Sequence, residues 1–241
     1  MINTGVSRGS IASSIPFSVK NIRPNLIEAF WNMDNDPSDD QQDSSGVGPS
    51  LIYSETGPSG PYATIVDGKA GAAVSFSAPN TPFMSSGGRY YTDTWGIDCN
   101  SPFTLSVWMK TRNFSANSHV IGAPIENGLY ISSNGTQQTF TLYDGTPGGL
   151  TAPLVTPNTW VHYVLTRSAQ WLTLFVNSAG ISTADISGRI YPNNGVFSVG
   201  GGEFDEYYYD GDIDALGIWS TVLTQQEINA LYNNGRGAQY S

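Results

Sequence analysis

From Leu26 onward, short apolar runs recur along the chain, separated by glycine, proline, asparagine and serine. The runs are Leu26–Met33, Tyr62–Val66, Ala72–Phe76, Phe103–Thr111, His119–Ile121, Gly128–Ser132, Thr139–Tyr143, Trp160–Thr166, Trp171–Val176, Val196–Val199 and Gly211–Trp219. Strand-length segments at this spacing predict an all-β sandwich or barrel. In the clearest of them, Leu172, Leu174 and Val176 alternate with Trp171, Thr173 and Phe175, the period of a strand with one face in a core. Ser168-Ala169-Gln170 supplies the turn before it. Near the end the period changes. Thr224 and Glu227 form a capping box, Ile228, Leu231 and Tyr232 make a short apolar helix face, and Asn234-Gly235 stops it. So short a helix persists only if it packs on the sandwich.

Composition agrees with many turns. Charged residues are 12% of 241, with 27 Gly and 14 Pro, and aromatics at 12% give bulk for an inter-sheet core. A chain of this length folds without covalent staples. The single cysteine, Cys99, excludes an internal disulfide and a cysteine-based zinc site. No signal-peptide pattern and no apolar run of membrane-spanning length is seen, so a soluble protein is expected. A formal charge of −10 argues against nucleic acid and anionic membranes as partners. Residues 1–24 differ: they hold three of the ten Lys+Arg and no acid. They divide the chain into an extended arm, 1–24, and a folded domain, 25–241. The arm reads either as a frayed terminus or as a segment that orders on a partner through Ile11, Ile15 and Phe17.

Two blocks resemble the laminin-G-like, concanavalin A-like jelly-roll family. WVHYVLTRSAQWLTLFVN (160–177) is similar to its central hairpin, and YDGDIDALGIWSTVLTQQEINALY (209–232) to its closing strand and helix. DSSG (43–46), DGKAGAAVSF (67–76) and FTLSVWMK (103–110) echo further family segments in family order. Ala215 and Asn177-Ser178 depart from the pattern, standing where the family has glutamate and Asp-Gly. The resemblance implies a jelly-roll β-sandwich of two antiparallel sheets with one short C-terminal helix. It also implies a structural Ca2+ held by Asp43 and Asp214, although Asp43 equally suits an Asx turn and Asp214 a turn cap. Asp210, Asp212 and Asp214 alternate onto one face, where their repulsion favours a cation or solvent.

Wider relatives of this fold are glycosidases, which need two converging carboxyls. Glu203-Phe204-Asp205-Glu206 is the one candidate, and its spacing turns Glu206 away from Glu203 and Asp205, so catalysis is not expected. His119 and His162 lie in no nucleophile-elbow context, and His162 reads as a structural hydrogen-bonding residue. Gly200-Gly201-Gly202 lacks the features of a phosphate loop and reads as a bend. Trp108, Trp160 and Trp219 are expected in the core. Loop aromatics are the candidate ligand platform: Tyr90, Tyr91 and Trp95 in one stretch, Tyr207 and Tyr208 in another.

Two functions follow. One is a non-catalytic virion surface protein, a phage capsid decoration or tail-associated protein that docks on capsid or tail proteins through its arm, as a homo-oligomer on the particle. It rests on the missing signal peptide, the few lysines, the Asn/Ser/Gly/Thr richness and the basic arm on an acidic domain. The other is a stand-alone carbohydrate-binding module at a bacterial surface or outside the cell. The two combine if the particle also grips host surface glycans.

Overall fold

The computed structural model describes residues 18–36, 39–56, 62–77, 87–93, 95–114, 118–122, 128–192, 197–201 and 208–241. Among these residues fifteen strands follow one another: β1 (Ile27–Trp31), β2 (Ile52–Thr56), β3 (Ala63–Asp67), β4 (Ala72–Phe76), β5 (Gly87–Thr92), β6 (Phe103–Thr111), β7 (His119–Gly122), β8 (Gly128–Ser133), β9 (Gln138–Tyr143), β10 (Pro147–Thr151), β11 (Val161–Arg167), β12 (Trp171–Val176), β13 (Ala179–Asp185), β14 (Phe197–Val199) and β15 (Gly211–Trp219). Among the described residues there is one α-helix, α1 (Gln225–Tyr232), and it carries the expected capping box.

The strands form two antiparallel sheets. One runs β13-β12-β11-β6-β15-β4-β3, with β1 also on β15; the other runs β10-β9-β8-β7-β14-β5-β2. This is the jelly roll. Between the sheets the pleat stacks Leu105, Val107, Tyr163, Leu165, Leu172 and Leu174 against Tyr90, Ile121, Ile131, Phe140 and Phe197. Every residue of β11 and of β15 is buried. A strand facing water on one side alternates, so something must cover the outer face here. The cover is a second apolar cluster, in which Val19, Ile22, Leu223, Ile228 and Leu231 lie over Phe30, Trp108, Val164 and Trp219.

That cover moves the boundary expected at residue 24. Val19 is 0% and Ile22 4% exposed, Ser18 bridges Gln239, and the Trp219 indole donates to the Ile22 carbonyl at 3.0 Å. Arg23 pairs with Glu227 at 2.5 Å. Residues 18–24 therefore belong to the folded domain. Ile11, Ile15 and Phe17 lie outside the described residues, and of the three basic residues at this end, only Arg8 precedes residue 18. Trp108 and Trp219 are core as expected, whereas Trp160 is half-buried beneath Lys110.

Candidate functional site

The expected aromatic platform does not hold together. Tyr90 is 0% exposed: it points inward from β5, packs on Tyr53 and Phe76, and its phenol accepts from Gln41 Nε2 at 3.2 Å. Tyr208 is 1% exposed, and its ring fills space that Gly87 and Gly201 leave open. A Cβ on Gly201 would stand 2.6 Å from that ring, so Gly201 seats an aromatic side chain. Neither tyrosine can reach a ligand. Tyr91 is half-buried on the outer face of its sheet, under the Arg89 guanidinium at 5.0 Å. Tyr207 lies outside the described residues, as do Glu203, Asp205 and Glu206.

Trp95 is the candidate that lines an opening. It stands half-buried after β5, with its ring on Trp31 and Phe197 at 5.9 and 5.5 Å. Beside it is a cleft of about 240 Å³ at one end of the sandwich, bounded by Glu28, Asp98, Ser101, Phe103, Ile218 and Ser220. Its position follows from the fold. The ends of β1, β6 and β15 come together there, and residues 95–98, after β5, line the cleft with them. Glu28 reaches the cleft because of a bulge. Ile27 faces Trp219 and Ala29 faces Ile218, which leaves Glu28 as the unpaired extra residue. Its carboxylate makes no hydrogen bond or ion pair among the described residues.

Asp98 is fixed by its own turn. It accepts from the Asn100 N–H at 2.9 Å and from the Ser101 hydroxyl at 2.7 Å. Those bonds, with Arg167 as a more distant cation, hold its carboxyl below the usual range. A glycosidase acid needs the opposite shift, so Asp98 is unsuited to donate a proton near neutrality. The Asp98-Cys-Asn-Ser101 sequence carried the signal for this turn. Glu28 had none, because a bulge depends on pairing with a strand some 190 residues on.

Asp43 and Asp214, the positions at which the resemblance implies calcium, each carry hydrogen bonds of their own. Asp43 Oδ1 accepts from the Phe30 N–H at 2.7 Å, the Ser45 N–H at 3.2 Å and the Ser45 hydroxyl at 2.8 Å. Its Oδ2 accepts from the Val47 and Gly48 N–H groups, both at 2.8 Å. Both oxygens are thus spent on tying the loop to β1. Asp214 is fully buried and accepts from the Lys69 and Ala70 N–H groups at 2.6 and 3.0 Å. Its Oδ1 has no partner, and burial pushes the carboxyl up to about 7. Asp34 is the other carboxylate acting on it. Among the described residues, no three His, Cys, Asp or Glu side chains assemble a metal-binding group. Asp43 and Asp214 share no hydrogen-bond partner among the described residues. Asp210 and Asp212 are neutralised from within the chain, by Arg112 on both and Lys110 on Asp212 at 3.1 Å.

Both histidines are structural. His162 Nε2 meets the Ser106 hydroxyl at 2.9 Å and its ring stacks on Trp108 and Tyr232. His119 Nε2 meets the Ser198 hydroxyl at 3.3 Å. Burial lowers their pKa values to about 3 and about 4. Among the described residues, no helix is long and apolar enough to cross a membrane.

A family model described as the concanavalin A-like lectin/glucanases superfamily matches residues 85–229, more than half of the chain. Among solved structures, the binding domain of Paraclostridial Mosquitocidal Protein 1 aligns with a TM-score of 0.65 at 17% identity, over 88% of this chain and 53% of that one. Domain 4 of AbnA, an extracellular arabinanase from Geobacillus stearothermophilus solved with arabinotriose, aligns with a TM-score of 0.64 at 16% identity, over 85% and 97%. A structure of botulinum neurotoxin type C, whose cell entry depends on two ganglioside molecules, aligns with a TM-score of 0.66 at 15% identity, over 89% and 53%. The chain spans about half the length of the toxin domains it matches. At these identities the likeness is one of fold. No curated protein sequence matches the chain.

Proposed function

Since the chain belongs to the concanavalin A-like lectin/glucanases superfamily, we propose that it is a non-catalytic, lectin-like module that binds carbohydrate in the cleft beside Trp95. The observation that carries this reading is the composition of the cleft: a half-buried indole, two carboxylates and two serine hydroxyls around an apolar floor. Pyranose rings present an apolar face and a rim of hydroxyls, and such a site answers both. The structural neighbours include binding domains and an arabinanase domain solved with arabinotriose, which supports binding over chemistry. The down-shifted Asp98 points the same way.

The test is a glycan array read with the full chain and with Trp95→Ala. Signals on oligosaccharides that vanish in the variant, with its thermal melt retained, support the reading. Equal signals in both proteins place any sugar site elsewhere and refute it. The particle-docking reading keeps a narrower basis, because Arg23 is consumed by Glu227 and residues 18–24 belong to the domain. It rests on residues 1–17.

A further inference from the structure

The polar side chains of the cleft share a feature that its acidity alone does not convey: their protons are already committed. The Ser101 hydroxyl donates to Asp98 Oδ2 at 2.7 Å. The Ser220 hydroxyl donates to the Leu26 carbonyl at 3.2 Å. The Trp219 indole N–H, in the floor, donates to the Ile22 carbonyl at 3.0 Å. What these groups still offer a ligand is lone pairs. Glu28 adds an unpartnered carboxylate, and Asp98 keeps lone pairs on both oxygens after its two bonds. Trp95 brings the uncommitted side-chain N–H of the lining, and no lysine or arginine among the described residues lines the cleft. Arg167 acts on Asp98 from outside the lining and offsets part of one charge; among the described residues Glu28 has no such neighbour.

A site made of acceptors selects ligands made of donors. A sugar hydroxyl satisfies it by turning its proton inward, and an ammonium does so with charge. A carboxylate, sulfate or phosphate brings acceptors to acceptors and leaves both sides desolvated and unpaired. We infer that the cleft takes saccharides without acidic groups, binding neutral and amino-bearing sugars and rejecting sialylated, uronate or sulfated ones through Glu28 and Asp98. The inference rests on the carbohydrate-binding reading of the same cleft and adds the charge class of the ligand.

Matched oligosaccharides, each neutral parent printed beside its sialic acid-capped and its amino-sugar counterpart, are read with the full chain, Trp95→Ala, Glu28→Gln and Glu28→Lys. For each bound parent, the capped member is expected to be weaker by about fivefold or more, the effect of one close charge pair at a wet surface. Read as the ratio of capped to neutral binding within each variant, Glu28→Gln should narrow that gap and Glu28→Lys close or invert it. Trp95 packs on Trp31 and Phe197, so Trp95→Ala is accompanied by a thermal melt; the Glu28 variants alter a bulged, partly exposed side chain and give a second readout. Trp95-dependent binding that favours capped members, or a gap indifferent to Glu28→Lys, overturns the charge selection while leaving the cleft as a sugar site. No signal dependent on Trp95 or Glu28 on any member overturns the site and the inference together.

Discussion

Replacing Asp43 by alanine separates a loop staple from a metal ligand. The carboxylate takes five hydrogen bonds, and these are not equal in energy. Val47 is 63% exposed, and water can replace the carboxylate at the N–H groups of this loop at small cost. The Phe30 N–H belongs to a β1 residue that is 1% exposed, and it loses its 2.7 Å partner without replacement. A hydrogen bond to a charged acceptor contributes about 1.5–3 kcal/mol, and an orphaned buried donor costs about 1–3 kcal/mol. A net loss of about 2–4 kcal/mol is expected for Asp43→Ala, or roughly 5–15 °C in Tm for a chain of this length. The assay is thermal denaturation followed by near-UV circular dichroism, run in chelator and in millimolar Ca2+. The staple reasoning requires the same wild-type-to-variant gap in both. A gap that exists only with Ca2+, or a variant within about 2 °C of wild type, would refute it.

Three further outcomes follow. His119 and His162 stay neutral in the fold while their unfolded forms protonate near pH 6.5, so unfolding takes up protons in mild acid. Their contribution is fully present above about pH 6.5 and is lost towards pH 4 and 3; urea midpoints should fall over that range, and an imidazole resonance titrating near 6.5 would contradict their burial. Arg112→Met should cost about 2–3 kcal/mol by urea denaturation, since Asp210 loses its cation and Asp212, 3% exposed, keeps only Lys110; an unchanged midpoint would mean that the cluster contributes nothing. Deleting residues 2–17 should leave the melting temperature near wild type, whereas deleting 2–24 uncovers Trp219 and should lower it markedly. Equal melting of the two deletions would reject the boundary at residue 18.

The fold was legible where packing imposes a period. The runs Ala72–Phe76, Phe103–Thr111 and Gly211–Trp219 reappear as β4, β6 and β15 with the same limits. Four strands left no such trace: β2, β5, β10 and β13. Three of them are sheet edges and the fourth pairs with one, so their sequences, such as AGISTAD and PGGLT, answer to solvent and turns more than to a core. The site was less legible. Trp95 was recognisable as a loop aromatic, but Tyr90 and Tyr208 look identical in sequence, and the space left by Gly87, 121 residues earlier, and by the nearby Gly201 decides that Tyr208 is buried. Glu28 emerges only once β1 lies against β15.

The pairing of β15 also sets a timetable. It lies between β6 and both β1 and β4, and the Ser18 hydroxyl donates to the Ser241 carbonyl, 223 residues later. During synthesis, β1, β4 and β6 therefore emerge without the strand that joins them, and their flanks stay open until residues 211–241 have left the ribosome. Long-range pairing of this kind makes folding slow. While it is being made, the chain carries these open strand edges until β15 is complete, which favours capture by chaperones or by neighbouring copies. Any truncation upstream of Gly211 should yield a chain that cannot close, and aggregation rather than a smaller folded domain.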